Sequence, residues 1–120
     1  MHDHPLAEGV AHFNAGRYRD ALLAFEARWH AERSDLLRAL IQLSNAMNQL
    51  RLGLLTGPRR NLASAAALLA PLPERCEGLD VAGLRQAVAS VRACIPAGVE
   101  SGAASLPWET VPVVQLVLMV

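Results

Sequence analysis

The stretch FNAGRYRDALLAFEARW, residues 13–29, decides the fold. Gly16 accepts the left-handed conformation that ends a helix, so a first helix from about Pro5 stops there. Leu6, Val10 and Phe13 fall at i, i+4, i+7 and give that helix one apolar stripe. A second helix runs from near Arg17 to about Glu32. Tyr18, Leu22, Phe25 and Trp29 share one of its faces, and Ala21 beside them lets a neighbouring helix come close. So short a link around Gly16 forces an antiparallel helical hairpin.

Working outward, Ala and Leu supply about a third of the chain, which favours helix. Ser34 is a plausible N-cap for a third, longest helix, with Asp35 at its positive end. Leu36, Leu40, Leu43, Met47, Leu50 and Leu54 step by four and three along it, and Gly53 and Gly57 mark its end. Pro58 opens a fourth helix, through Leu62, Ala66 and Leu69, that Pro71 and Pro73 stop. Asp80 caps a fifth, with Leu84, Val88, Val91 and Ile95 inward and Pro96 closing it. The expected architecture is all-α: one bundle of about five helices over residues 1–96. A Gly, Ala and Ser-rich linker follows at 97–105, then an extended apolar C-terminal arm at 106–120.

The arm is the part unlike the rest. Val111 to Val120 is β-branched and almost continuously apolar, interrupted by Pro112 and Gln115. An exposed strand of that kind invites aggregation, so something is expected to cover it. It either packs on its own bundle or pairs with another copy, with Val113, Val114, Leu116, Val117 and Leu118 as interface candidates.

Formal net charge is zero, with eleven Arg against eleven acidic residues and no Lys. Hydrophobic residues make up 52% and charged residues 18%. That composition excludes a disordered chain and argues against nucleic-acid binding by bulk charge. No apolar run reaches membrane-spanning length, and MHDHP carries no basic-then-apolar leader. The expectation is a cytoplasmic protein with no membrane or nucleic-acid partner and no cofactor.

Two resemblances meet in residues 13–29. Gly16, Tyr18, Ala21 and Phe25 resemble one tetratricopeptide-like hairpin, but no second copy follows at that repeat's period. More specifically, the chain resembles domain of unknown function 309, a family of small helical bacterial and archaeal proteins. The pattern is carried by Gly9, Val10, Phe13, Asn14, Gly16, Tyr18, Ala21, Glu26 and Trp29, then Leu40, Ile41, Gln42 and Leu43. The resemblance implies an all-α bundle and a suspected metal-dependent hydrolase. Its His-Glu pair falls here on Leu22 and Leu23, which neither ligate metal nor move protons. Only Glu26 of that motif's polar residues remains, and a hydrolytic zinc site needs three protein ligands.

Other residues give weak replacements. His2, His4, His12 and His30 all lie in the first thirty residues. Glu8 with His12 and Glu26 with His30 are i, i+4 pairs. The first pair lies opposite the apolar stripe, and both suit a solvated face better than a metal core. Glu26, His30 and His12 are therefore the weak metal candidates. Cys76 and Cys94 lack metal or redox spacing and are expected as free thiols. Arg59 and Arg60 could hold an anion at a helix start. Nucleophile-elbow and phosphate-loop motifs are absent. On the third helix, Gln42, Asn45 and Gln49 share a face where charges would be usual; with Glu26 they are candidates for a half-buried groove. The function expected is a non-catalytic bundle acting by self-association, as a homodimer, or by protein interaction; a metal-dependent hydrolase with altered ligands is the alternative.

Overall fold

A computed structural model of the chain describes residues 4–96 and 106–119; the 97–105 linker, His2 and Val120 lie outside the described residues. Five helices follow in order: α1 (Ala7–Asn14), α2 (Tyr18–Ala31), α3 (Asp35–Arg51), α4 (Thr56–Leu69) and α5 (Val81–Cys94). Two-residue strands β1 (Arg75–Cys76) and β2 (Leu79–Asp80) sit between α4 and α5, and a short 3-10 turn covers Trp108–Thr110. The fold is the expected all-α, five-helix bundle with a C-terminal extension.

Each helix packs antiparallel on the next. Gly16 has φ +79° and turns α1 into α2. Gly9 faces Phe25 so closely that a Cβ there would fall 2.4 Å from the ring. Ser34 caps α3, its Oγ accepting from the Leu37 N–H at 3.1 Å. Asp80 caps α5 in the same way, Oδ1 accepting from the Gly83 N–H at 3.0 Å. At the far end of the α2–α3 pair, the Arg51 guanidinium donates to the Gly16 carbonyl and lies 4.9 Å over the Tyr18 ring. Arg85 on α5 reaches back to the C-terminus of α4 and donates to the Leu69 carbonyl, which also accepts from the Leu72 N–H, and to the Leu72 carbonyl just beyond the helix.

Three expectations need correction. α4 begins at Thr56, so Pro58 and Gly57 sit in its first turn; proline has no N–H to lose there. Leu54 lies beyond α3 and is 43% exposed. Cys76 sits on a strand, since Glu77 (φ 51°) and Gly78 (φ 80°) make a two-residue hairpin loop with both φ positive.

The arm folds back along the bundle. It enters beside Tyr18, where Trp108 stands edge-on at 5.9 Å. Asn14, the last residue of α1, then holds both backbone groups of Leu116. Its Nδ2 donates to the Leu116 carbonyl at 2.9 Å, and its Oδ1 accepts from the Leu116 N–H at 2.8 Å. Beyond it the arm adds to the hairpin. Asp80 N–H donates to the Val117 carbonyl at 2.9 Å, Met119 N–H donates to the Gly78 carbonyl at 2.6 Å, and Leu118 pairs antiparallel with Leu79. Val111, Val114 and Leu116 are buried in the same core as Phe13, Phe25, Leu40 and Val88.

Candidate functional site

Antiparallel packing of α2 on α3 leaves a cleft of about 440 Å³ lined by Glu26, Trp29, His30, Arg38, Ile41 and Gln42. The two helices contribute matched triplets at i, i+3, i+4: Glu26, Trp29 and His30 from α2, and Arg38, Ile41 and Gln42 from α3. Because the helices run in opposite directions, His30 and Arg38 lie toward the connecting loop. Glu26 and Gln42 lie one turn further in. Trp29 is partly buried, with the Arg33 guanidinium 5.8 Å from its ring centroid. Gln42 Oε1 is buried and accepts no hydrogen bond among the described residues. A buried acceptor without a donor is costly, and such groups are rare enough to need a reason.

The four groove candidates therefore divide. Glu26 and Gln42 line one cleft. Gln49 instead turns to α4, its Oε1 accepting from Asn61 Nδ2 at 3.0 Å over the bare Cα of Gly57. Asn45 is half-buried between them and does not line the cleft. Trp29, His30, Arg38 and Ile41 complete the lining; the i, i+3, i+4 spacing of Glu26, Trp29 and His30 on α2 and of Arg38, Ile41 and Gln42 on α3 was the available signal.

The metal candidates are not brought together. Glu26 and His30 line the α2–α3 cleft, whereas His12 lies in a separate depression with Glu8, Asp20 and Leu23. There Arg17 Nε donates to His12 Nδ1 at 3.1 Å, and Glu8 stands 3.9 Å from His12 Nε2. An arginine occupying the imidazole lone pair is the wrong neighbour for a cation. No group of three or more His, Cys, Asp or Glu side chains capable of holding a metal occurs among the described residues. Among the described residues the donor set does not fit a hydrolytic metal.

Cys76 and Cys94 are free and half-buried. Partial burial, reinforced by the charge of Glu77, pushes the Cys76 thiol up, away from the nucleophilic thiolate. Arg59 donates to the Pro96 carbonyl at 2.9 Å and, with Arg92, borders a second cleft of about 410 Å³ between α4 and α5; Arg60 is exposed.

The arm's side chains alternate. Val114 and Leu116 point into the chain's own core, and Leu118 is half-buried. Val113 is 80% exposed, Val117 49% and Met119 41%. The interface candidates are thus split between an inner and an outer face. Among the described residues, no helix is long and apolar enough to cross a membrane.

Neither the curated proteins nor the solved structures compared with the chain gave a match. A family model described as Domain of unknown function (DUF309) matches residues 6–61, which span α1, α2, α3 and the first turns of α4, just under half of the chain.

Proposed function

We propose that this chain is a non-catalytic helical protein that acts by association, with a second copy of itself docking on the outer face of the C-terminal arm. The observation that carries this is the arm's alternation. Its inner face completes the core, while Val113, Gln115, Val117 and Met119 project outward along one extended segment. Val117 and Met119 are neighbours on that face and Val113 lies beyond Gln115, so the outer face is apolar apart from one amide, unlike apolar residues scattered singly. A two-fold pairing would cover the same patch on both copies. The lack of a usable donor set in either cleft, among the described residues, supports a role without metal chemistry.

Light scattering on the full chain tests this. The expected species has twice the 12.9 kDa chain mass. The Val113→Ser/Val117→Ser variant is expected to return to one chain mass with the helical circular dichroism of the folded chain, because both side chains are exposed in the single chain; its melting temperature should fall only by the share that association adds. A full chain that stays monomeric at high concentration, or a variant that still dimerises, would remove the proposal.

A further inference from the structure

The α2–α3 cleft holds a buried acceptor without a donor on one side and exposed cationic side chains on the other. We infer that it binds a free α-amino acid with an apolar side chain. The ammonium would face Glu26 and Gln42, the carboxylate His30 and Arg38, and the side chain would lie on Trp29 and Ile41. The inference goes beyond self-association and does not rest on it.

Three observations converge. Gln42 Oε1 is a buried acceptor with no donor, so a ligand N–H would relieve its desolvation. The Glu26 carboxylate, half-buried beside it, makes no hydrogen bond or ion pair among the described residues, and neither does the Arg38 side chain, which is exposed across the cleft. Opposite charges that face one cleft without pairing leave room for a molecule that pairs with both. The spacing fits. Glu26 to His30 and Arg38 to Gln42 each span one helical turn, roughly 6 Å of rise, so the acceptor end and the cationic end are separated by about the size of a zwitterion with its hydrogen bonds. Arg33, over the Trp29 ring, adds to the cationic end. The nearby acidic groups leave that end positive: Glu32 is held by Arg28 at 3.0 Å, and Asp35 is exposed at the start of α3. The cleft volume of about 440 Å³ accommodates a leucine-sized molecule.

The test titrates the full chain with L-leucine, following the Trp29 indole N–H by NMR. Leucinamide, which lacks the carboxylate, and N-acetyl-leucine, which lacks the ammonium, are compared on the same unaltered chain. Leucine is expected to give a saturable shift. Each analogue, and each of Glu26→Gln and Arg38→Gln, is expected to bind at least about tenfold more weakly, the loss that follows removal of one charge-assisted hydrogen bond. Equal binding of all three ligands would reduce the cleft to an apolar surface and overturn the assignment. So would unchanged binding in both variants, or no saturable shift at the solubility limit of leucine.

Discussion

Asn14 and Gln42 are both half-buried amides on helices of the same bundle, and their hydrogen-bonding capacity is used in opposite ways. Asn14 closes a two-bond ring with the backbone of Leu116, 102 residues away in the chain. Gln42 leaves its buried carbonyl oxygen empty beside an open cleft. The first is an architectural group: it satisfies a segment that would otherwise be an unpaired strand. The second lowers stability where it stands, the mark of a position held for something other than folding. The two regions around them differ in the same sense. The arm is held by bonds at Leu116, Val117 and Met119, while Glu26 and Arg38 on the walls of the cleft pair with no other side chain among the described residues.

The largest test removes the arm. A chain ending at residue 105 exposes the sites of Val111, Val114 and Leu116, each worth about 1.5–3 kcal/mol when buried. The sum is a large part of the roughly 5–15 kcal/mol that holds a domain together. The truncated chain is expected to lose its cooperative thermal transition. A melt within a few degrees of the full chain would mean that the arm is an accessory and the comparison with the cleft fails. For the same reason, truncation cannot serve as a test of dimerisation, whereas outward point substitutions can.

Next in size is Asn14→Ala. Two partly buried backbone groups of Leu116 lose their partner at once, at about 1–3 kcal/mol each. The expected destabilisation is about 2–6 kcal/mol in urea unfolding. Asn14→Asp keeps an acceptor for the Leu116 N–H but loses the donor, so it should fall between. A loss below about 0.5 kcal/mol for the alanine variant would show that water replaces the amide.

Gln42→Leu should have the opposite sign. Leucine removes the unpaired acceptor and extends the apolar wall beside Ile41, so stability is expected to rise by about 1 kcal/mol. Leucine binding should weaken in the same variant. A destabilised variant would mean that the amide is already satisfied, and the contrast with Asn14 would disappear.

The helical part of this arrangement was legible in the sequence because periodicity, glycine turns and caps agree. Ser34 and Asp80 cap where their side chains predict, and Gly16 turns where its φ requires. The β1–β2 hairpin was not legible, because two-residue strands have no periodicity and the cue was only Glu77-Gly78. Asn14 stood out in the resembled family's pattern, but its partner lies at the other end of the chain, and sequence spacing carries no signal for that. The cleft was half legible. Angles on α3 grouped Gln42 with Gln49, and the approach of α4 at Gly57 then drew Gln49 away.

The smallest expected effect concerns the point where the arm enters beside the α1–α2 turn. Tyr18 is held between Phe13, Trp108 and the Arg51 guanidinium. Burial raises its hydroxyl pKa above the ordinary value of 10.0, and the positive charge of Arg51 lowers it in part. The folded chain therefore holds the proton more tightly than the unfolded one. This contribution to stability is full below about pH 10 and is lost as pH rises from there through the folded value. Tyr18 is the one tyrosine in the sequence, so tyrosinate absorbance follows it alone. Arg51→Gln should move that titration further upward by removing the opposing charge, with the unfolded chain still titrating near its ordinary value. A downward move in Arg51→Gln would mean that the ring is no longer buried, and that Arg51 acts mainly by holding Gly16 and the entry of the arm in place.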